Sequence, residues 1–407
     1  MKKNHTDITL LLPTLYFMLT CVVTSVVYRK IFAITIAIAF AFIVVAIKLA
    51  TDNKFVNCFD NTATYLGLLQ IFYILLISLV VKAEYKEHIQ TYLKSIIILF
   101  FIWTTYLMLK NSSKSTIKFL VKAYLIVIAI CTCCTIYIEL TGPENVIRDT
   151  AAGKYFPSIL PYGGYDFIYS LVLIYSALVV YLSLNKKEIS KVNKLWITFL
   201  LVIMFLAIAL SNYSTALIFI VVATVIASIM KFKHKFLLAI AILIIIYASA
   251  DVLAAFVRSL PLSDLTTSRI SDVILSLTGK GSANDHLTGD GQRWDRTLWS
   301  FKIFADYPIF GGFVSKAGLK FGFHTEWIDQ MARYGVIYII IHLIFFIKAR
   351  KTIINDCETQ NSKLVVKIVF YFLLALGFFN PITLVVTVSS IFLLCPFLDD
   401  IFLNKDN

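Results

Sequence analysis

Arg293 and Arg296 stand three positions apart in Gly289-Asp-Gly-Gln-Arg-Trp-Asp-Arg-Thr-Leu-Trp-Ser-Phe-Lys-Ile-Phe-Ala-Asp-Tyr-Pro308, a stretch that closes on Gly311-Gly312. Trp294, Leu298, Phe301 and Ile303 or Phe304 recur there at near-helical spacing, between a glycine-rich start and a proline stop, which predicts a helix. Its two guanidinium groups rise from the same side, separated along the axis by roughly 4.5 Å. Planar bidentate donors at that separation suit neighbouring phosphates. A solvated face, with Arg296 paired to Asp295 or Asp306, fits the same spacing. A second stretch, Phe323-His324-Thr-Glu-Trp-Ile-Asp-Gln-Met-Ala-Arg-Tyr-Gly335, sets His324 at the start of another helix. Trp327, Met331 and Tyr334 share one face of it, and Asp329–Arg333 is an i,i+4 pair of modest stabilising value. The positive end of the helix dipole favours neutral imidazole at His324, the form a general base needs. Capping or packing is the alternative role for a lone histidine. His286, in a Gly/Ser/Asn-rich stretch, reads as solvated.

The elements that must hold these residues are set by composition. Of 407 residues, 59% are hydrophobic and only 15% charged, with mean hydropathy +0.83. Soluble chains carry about 45–50% apolar and about 25% charged residues, so soluble enzymes, secreted scaffolds, disordered tails and nucleic-acid binders are excluded. Spans need about 20 apolar residues each, and roughly twelve are legible. They are Ile8–Val27, Ile31–Ala50, Tyr65–Val81, Leu93–Leu109, Phe119–Leu140, Phe167–Leu184, Leu195–Leu210, Ala216–Met230, Phe236–Ala255, Gly335–Ile347, Leu364–Phe379 and Ile382–Phe402. The pair flanking Ser211–Thr215 also reads as one broken unit, and Asn380-Pro381 predicts a turn between the last two spans. The organisation is nine spans in 1–255 with a smaller outer loop at 141–166, a large outer loop at 256–334, and three spans in 335–407.

With the N-terminus inside, the inner segments hold 21 Lys and Arg and the short outer loops 7. The long loop holds the other nine, but long translocated loops obey the charge rule poorly. The bias puts both termini in the cytoplasm. Lys2-Lys3 and the apolar run after them read as an uncleaved first span, because no small-residue cleavage site follows. No cysteine reaches the oxidising side, so no disulfide framework is expected, and Cys131-Thr-Cys-Cys134 reads as packing inside a helix.

The span interiors carry almost no Asp, Glu, Lys or Arg, which weakens an ion-coupled transporter. Polar residues concentrate in 256–334, with nine basic and eight acidic side chains. Loops of that length are usually functional. There is no D-x-D pair, Walker A loop, H-E-x-x-H or G-x-S-x-G motif, so neither a metal site nor a cofactor is expected.

The chain resembles the bacterial O-antigen and capsule polysaccharide polymerases (Wzy-like) and their relatives the O-antigen ligases. The resemblance rests on about 60 residues and on topology. It comprises G-x-R293, Pro308 fifteen residues later and a glycine pair after it, then His324 with Gly335 eleven residues on, just before a span. Arg148 with Gly153, Phe156 and Pro157 is similar to the family's R…G-x-F-x-P-N stretch, though Ser158 replaces its asparagine. Where many relatives carry S-R-x-A, this chain reads Ser211-Asn-Tyr-Ser-Thr-Ala216, with Ser214 in the arginine's place. The resemblance implies an all-α, GT-C-like glycosyltransferase in the bacterial inner membrane. Its donor and acceptor would be glycans on undecaprenyl pyrophosphate, with a chain-length regulator protein as partner and no nucleic acid. Arg148, Arg293 and Arg296 would bind the pyrophosphate, and His324 would take the acceptor's proton. A ligase acting on lipid A-core and a lipid-linked oligosaccharide flippase are the alternatives.

Overall fold

The computed structural model describes residues 6–27, 34–143, 145–150, 154, 156–211, 213–230, 250–259, 267, 271, 290–323, 325–380 and 384–403. Among them the regular structure is helical, and the β-type pairing is an isolated bridge between Ile189 and Leu403. Eight helices are long and apolar enough to cross a membrane. These are Ile34–Thr51, Thr62–Val80, Lys86–Lys110 with the preceding turn Ala83–Tyr85, Lys114–Thr141, Tyr165–Leu184, Lys191–Leu210, Glu326–Asp356 and Gln360–Phe379. Shorter apolar helices cover Leu10–Thr24 and Ser214–Ile229. The protein is a polytopic, all-helical membrane protein.

Lys191–Leu210 and Ser214–Ile229 are two separate helices, one for each of the runs expected there. Two expectations change. The short span expected at Gly335–Ile347 lies within a helix running from Glu326 to Asp356. The last expected span divides into Leu384–Leu393, a 3-10 turn at Cys395–Phe397 and Leu398–Phe402. Pro396 opens that turn; it has no N–H to donate and its ring obstructs the preceding turn of helix. Most of the expected span Phe236–Ala255 lies outside the described residues, as does His286; Ala250–Arg258 is helical.

Two helices form the centre. Every residue from Ile98 to Leu109 and from Phe167 to Leu178 is buried, and Leu384–Leu393 packs against both helices. A helix apolar all round suits either lipid or a protein core. Here the hydroxyls are silenced locally: Thr104 and Thr105 donate to the Phe101 carbonyl at 3.0 and 2.7 Å, and Ser176 to that of Val172 at 2.7 Å. Trp103 Nε1 donates to Thr64 Oγ1 at 3.0 Å, tying the Lys86–Lys110 helix to Thr62–Val80.

Hydrogen bonds sort the connections between helices into two sets. At one end Val26 N donates to the Tyr162 carbonyl (3.0 Å), Lys82 N to that of Phe313 (3.1 Å) and Glu326 N to that of Asn380 (3.2 Å). At the other, Lys110 pairs with Asp356 (2.9 Å), Lys114 with Glu358 (3.2 Å), and Asn361 Nδ2 donates to Asn185 Oδ1 (2.8 Å). The two sets alternate along the chain, as successive crossings require. Arg148, Arg296 and the start of the Glu326–Asp356 helix all belong to the first end.

Candidate functional site

The first end is organised by a break in a helix. Gly335, inside Glu326–Asp356, has φ +78° and ψ −178°. A Cβ there would lie 2.1 Å from the Ile309 carbonyl oxygen. Gly311, also at φ +78°, faces the other way: its Cβ would lie 2.2 Å from the Arg333 carbonyl oxygen. Only a residue without a Cβ permits such approach at positive φ. Val336 N then donates to the Pro308 carbonyl at 2.7 Å, and Tyr73 OH to the carbonyl of Tyr334 at 2.8 Å, so both sides of the break are satisfied. The widely spaced sequence markers Pro308, Gly311 and Gly335 therefore make one backbone-to-backbone junction.

That junction fixes the Asp290–Asp306 helix, which forms where the spacing predicts. Its buried face meets the expected one only at Ile303. Leu298, Trp299 and Phe301 are about half exposed, while Ser300 and Ile303 are buried against the bundle. Ser300 Oγ donates to Asp329 Oδ1 and accepts from Gly322 N at 2.8 Å, and Asp329 Oδ2 accepts from Thr325 N at 3.0 Å. The backbone of Arg296 lies so close to Gly322 that a Cβ on the glycine would meet its carbonyl oxygen at 2.2 Å. Arg296 is half-buried, one turn before Ser300 on the inward face. Position 293 shares that face, about 10.5 Å before Ser300 along the axis. The side chain of Arg293 and all of His324 lie outside the described residues. Position 324 is bracketed by Phe323, at φ +54°, and the buried Thr325.

The expected Asp329–Arg333 pair does not form. The Asp329 carboxylate is taken by Ser300 and Thr325, and the Arg333 guanidinium lies 4.4 Å over the Phe323 ring. Trp327 and Tyr334 share a buried face as expected. Trp327 Nε1 donates to the Leu374 carbonyl at 2.7 Å, and its ring fills the space where Gly377 lacks a side chain.

A different stripe carries the polar groups. Glu326, Gln330 and Arg333 recur at i, i+4 and i+7 of this helix; Glu326 is 7% exposed and Gln330 2%. Gln330 Nε2 donates to Glu326 Oε1 at 2.8 Å. Among the described residues, four buried side-chain atoms here have no hydrogen-bond partner: Thr325 Oγ1, Gln330 Oε1, Arg333 Nε and Asn380 Nδ2. Arg148 joins from a short helix, Val146–Asp149, and is half-buried. Its charge acts on Tyr213, whose hydroxyl donates to the Ile147 carbonyl at 3.5 Å. The charge of Asp166 reaches both the Tyr213 hydroxyl and the Glu326 carboxyl group, so the Arg148 loop and the Glu326 stripe share one electrostatic neighbourhood. Among the described residues, no group of three or more His, Cys, Asp or Glu could hold a metal ion.

Sequence reasoning missed a chain of polar groups running from this end into the bundle. Tyr92 OH and Tyr338 OH are 2.5 Å apart; His342 Nδ1 lies 3.2 Å from Tyr338 OH and 2.6 Å from Gln70 Oε1. A count of Asp, Glu, Lys and Arg passes over His342, although it is fully buried inside an expected span. Glu326 and Gln330 were legible only as loop polarity, because nothing in their spacing says that the start of the helix is buried. The chain matches no protein-family model and no curated protein.

Proposed function

We propose that this protein is a Wzy-like polysaccharide polymerase of the bacterial cytoplasmic membrane, with both termini cytoplasmic and the Gly311–Gly335 junction at the outer face. The observation that carries the reading is the joining of the two motif stretches. The helix bearing positions 293 and 296 turns that face inward and is pinned, through Ser300 and Asp329, to the helix that begins beside position 324. Positions 293 and 296 on a helix pinned beside the chain that leads to position 324, at a protein end lined by buried polar groups, suit transfer from a lipid pyrophosphate. In such a transfer the acceptor hydroxyl attacks the anomeric carbon from the face opposite the leaving oxygen. The C–O bond to the pyrophosphate breaks, and undecaprenyl pyrophosphate departs with the electron pair. Arg293 and Arg296, joined by Arg148, would hold the developing negative charge, where preorganised cations act most strongly. His324 would accept the acceptor's proton. The Arg148 loop packs against Tyr213, next to Ser214 at the position where relatives carry arginine, which supports Arg148 as the third cation.

The test is surface glycan and lipid-linked intermediates from a strain lacking the gene, re-supplied with wild type, Arg293→Ala or His324→Ala. Core carrying a single repeat in the deletion strain, and in both variants at normal membrane levels, supports the polymerase. Long glycan stranded on the lipid carrier replaces it with a ligase, and single repeats stranded beside bare core with a flippase. Near-normal chain lengths from His324→Ala remove the base assignment.

A further inference from the structure

The stripe Glu326–Gln330–Arg333 has hydrogen-bonding capacity that the protein itself does not use. Thr325 is 5% exposed, Gln330 2% and Asn380 4%, yet each keeps one polar atom that has no partner among the described residues, as does Arg333. Buried polar atoms are nearly always satisfied, and each exception calls for a reason. The four residues cluster around Glu326. Glu326 N donates to the Asn380 carbonyl at 3.2 Å, Gln330 Nε2 to Glu326 Oε1 at 2.8 Å, Thr325 immediately precedes Glu326, and Arg333 acts on Glu326 through its charge. Thr325 is the N-cap residue of its helix, but its side chain makes no cap bond, so its hydroxyl serves no local structural role.

The set has a chemical signature. Gln330 Oε1 is an acceptor, Arg333 Nε and Asn380 Nδ2 are donors, and Thr325 Oγ1 is both. Three of the four are uncharged, and Arg333 is engaged by the Phe323 ring and the Glu326 charge. An anion such as pyrophosphate would find mostly neutral partners beside a carboxyl group. A neutral molecule bearing several hydroxyls, each able to donate and accept, matches donors and acceptors gathered around one residue. We infer that Thr325, Gln330, Arg333 and Asn380 form a subsite for the sugar hydroxyls of the acceptor glycan, separate from the arginines proposed to hold the leaving pyrophosphate. This rests on the polymerase reading, and gives that reading a binding element beyond its arginine and histidine motifs.

A hydroxyl kept for a ligand and unused by the fold leaves two marks of opposite sign. Thr325→Val keeps the shape and removes the orphan oxygen, so the protein should become more resistant to heat while binding sugar less well. The measurement uses purified full-length protein in detergent. It follows thermal unfolding and the binding of the free repeat-unit oligosaccharide, released from the host's own polymer, in wild type, Thr325→Val, Thr325→Ser and Gln330→Met. Polymer formation is scored in the same variants in cells. The expected result is oligosaccharide binding to wild type and Thr325→Ser, weakened about 3- to 10-fold in Thr325→Val and Gln330→Met, with Thr325→Val unfolding no lower than wild type. Equal binding across a folded set overturns the subsite, and so does wild-type polymerisation with no measurable oligosaccharide binding, which would leave the orphan atoms to water alone. If the deletion strain shows a ligase or flippase pattern, the polymerase reading fails on that evidence alone, whatever the oligosaccharide titration gives.

Discussion

Replacing Gly335 by alanine should separate the two motif stretches. A Cβ at this position meets the Ile309 carbonyl oxygen at 2.1 Å, the Ile309 carbonyl carbon at 2.4 Å and the Phe310 nitrogen at 2.7 Å, all of them backbone atoms that cannot rotate aside. Alanine also enters, at φ +78° and ψ −178°, backbone space essentially reserved for glycine, at a cost of roughly 1–3 kcal/mol. The backbones must part, which strains or breaks the Val336 N to Pro308 carbonyl bond of 2.7 Å, worth about 0.5–1.5 kcal/mol net. The expected loss is about 2–4 kcal/mol, or an apparent Tm lower by about 2–5 °C for a chain of this size. Thermal unfolding in detergent measures it. Gly311→Ala strikes the same junction from the opposite side, through the Arg333 carbonyl at 2.2 Å. Once one alanine has opened the contact, the second has less to disrupt, so the double variant should fall short of additivity by more than about 0.5 kcal/mol. A Gly335→Ala protein within half a kcal/mol of wild type, or strict additivity with Gly311→Ala, would refute the junction.

Other outcomes follow from the same geometry. Ser300→Ala strips one partner from the buried Asp329 and the partner of Gly322 N; it should lower stability by about 1–3 kcal/mol, and Asp329→Asn combined with it should restore part of the loss in unfolding assays. Tyr73→Phe removes the hydroxyl that caps the Tyr334 carbonyl and should cost about 1 kcal/mol by the same measurement. Burial, helped by the charges of Asp399 and Asp356, pushes the Cys357 thiol up to about 12; folded protein at pH 8 should leave it unalkylated by maleimide, and labelling within minutes would contradict that environment. Ile159 is 97% exposed in the connection proposed to be outermost, so Ile159→Cys should react with an impermeant maleimide added to whole cells, while Lys187→Cys should react only after the membrane is opened.

Hydropathy exposed most of the crossings, because a helix facing lipid or a greasy core must be apolar for about 20 residues. It could not show where an apolar run bends. The 384–402 stretch reads as continuous until Pro396 is weighed for its missing N–H, and the Glu326–Asp356 helix reads as short because its first nine residues carry four polar or charged side chains, three of which the fold buries. At the candidate site, the arginine helix was legible from spacing between glycine and proline. Its inward face was not: Leu298 and Phe301 look like the core and are half exposed, whereas Ser300 looks like surface and is buried. Periodicity finds a face, but only the partner decides which face is covered, and here the partner is a carboxylate 29 residues away in sequence. The glycines were visible as a pattern whose purpose, backbone contact, no spacing rule discloses.

The two central helices, each buried over twelve consecutive residues, bear on how the protein is made. Lys86–Lys110 and Tyr165–Leu184 leave the ribosome early, but one of the surfaces that covers both is Leu384–Leu393, and Tyr16 OH donates to the carbonyl of Leu393 across 377 positions of sequence. Until that late segment enters the bilayer, lipid or the insertion machinery must stand in for it against both central helices, and the first helix lacks its closing bond. A nascent chain stopped before 384 would thus present an open seam along its middle, and its survival would depend on how soon membrane proteases find that seam.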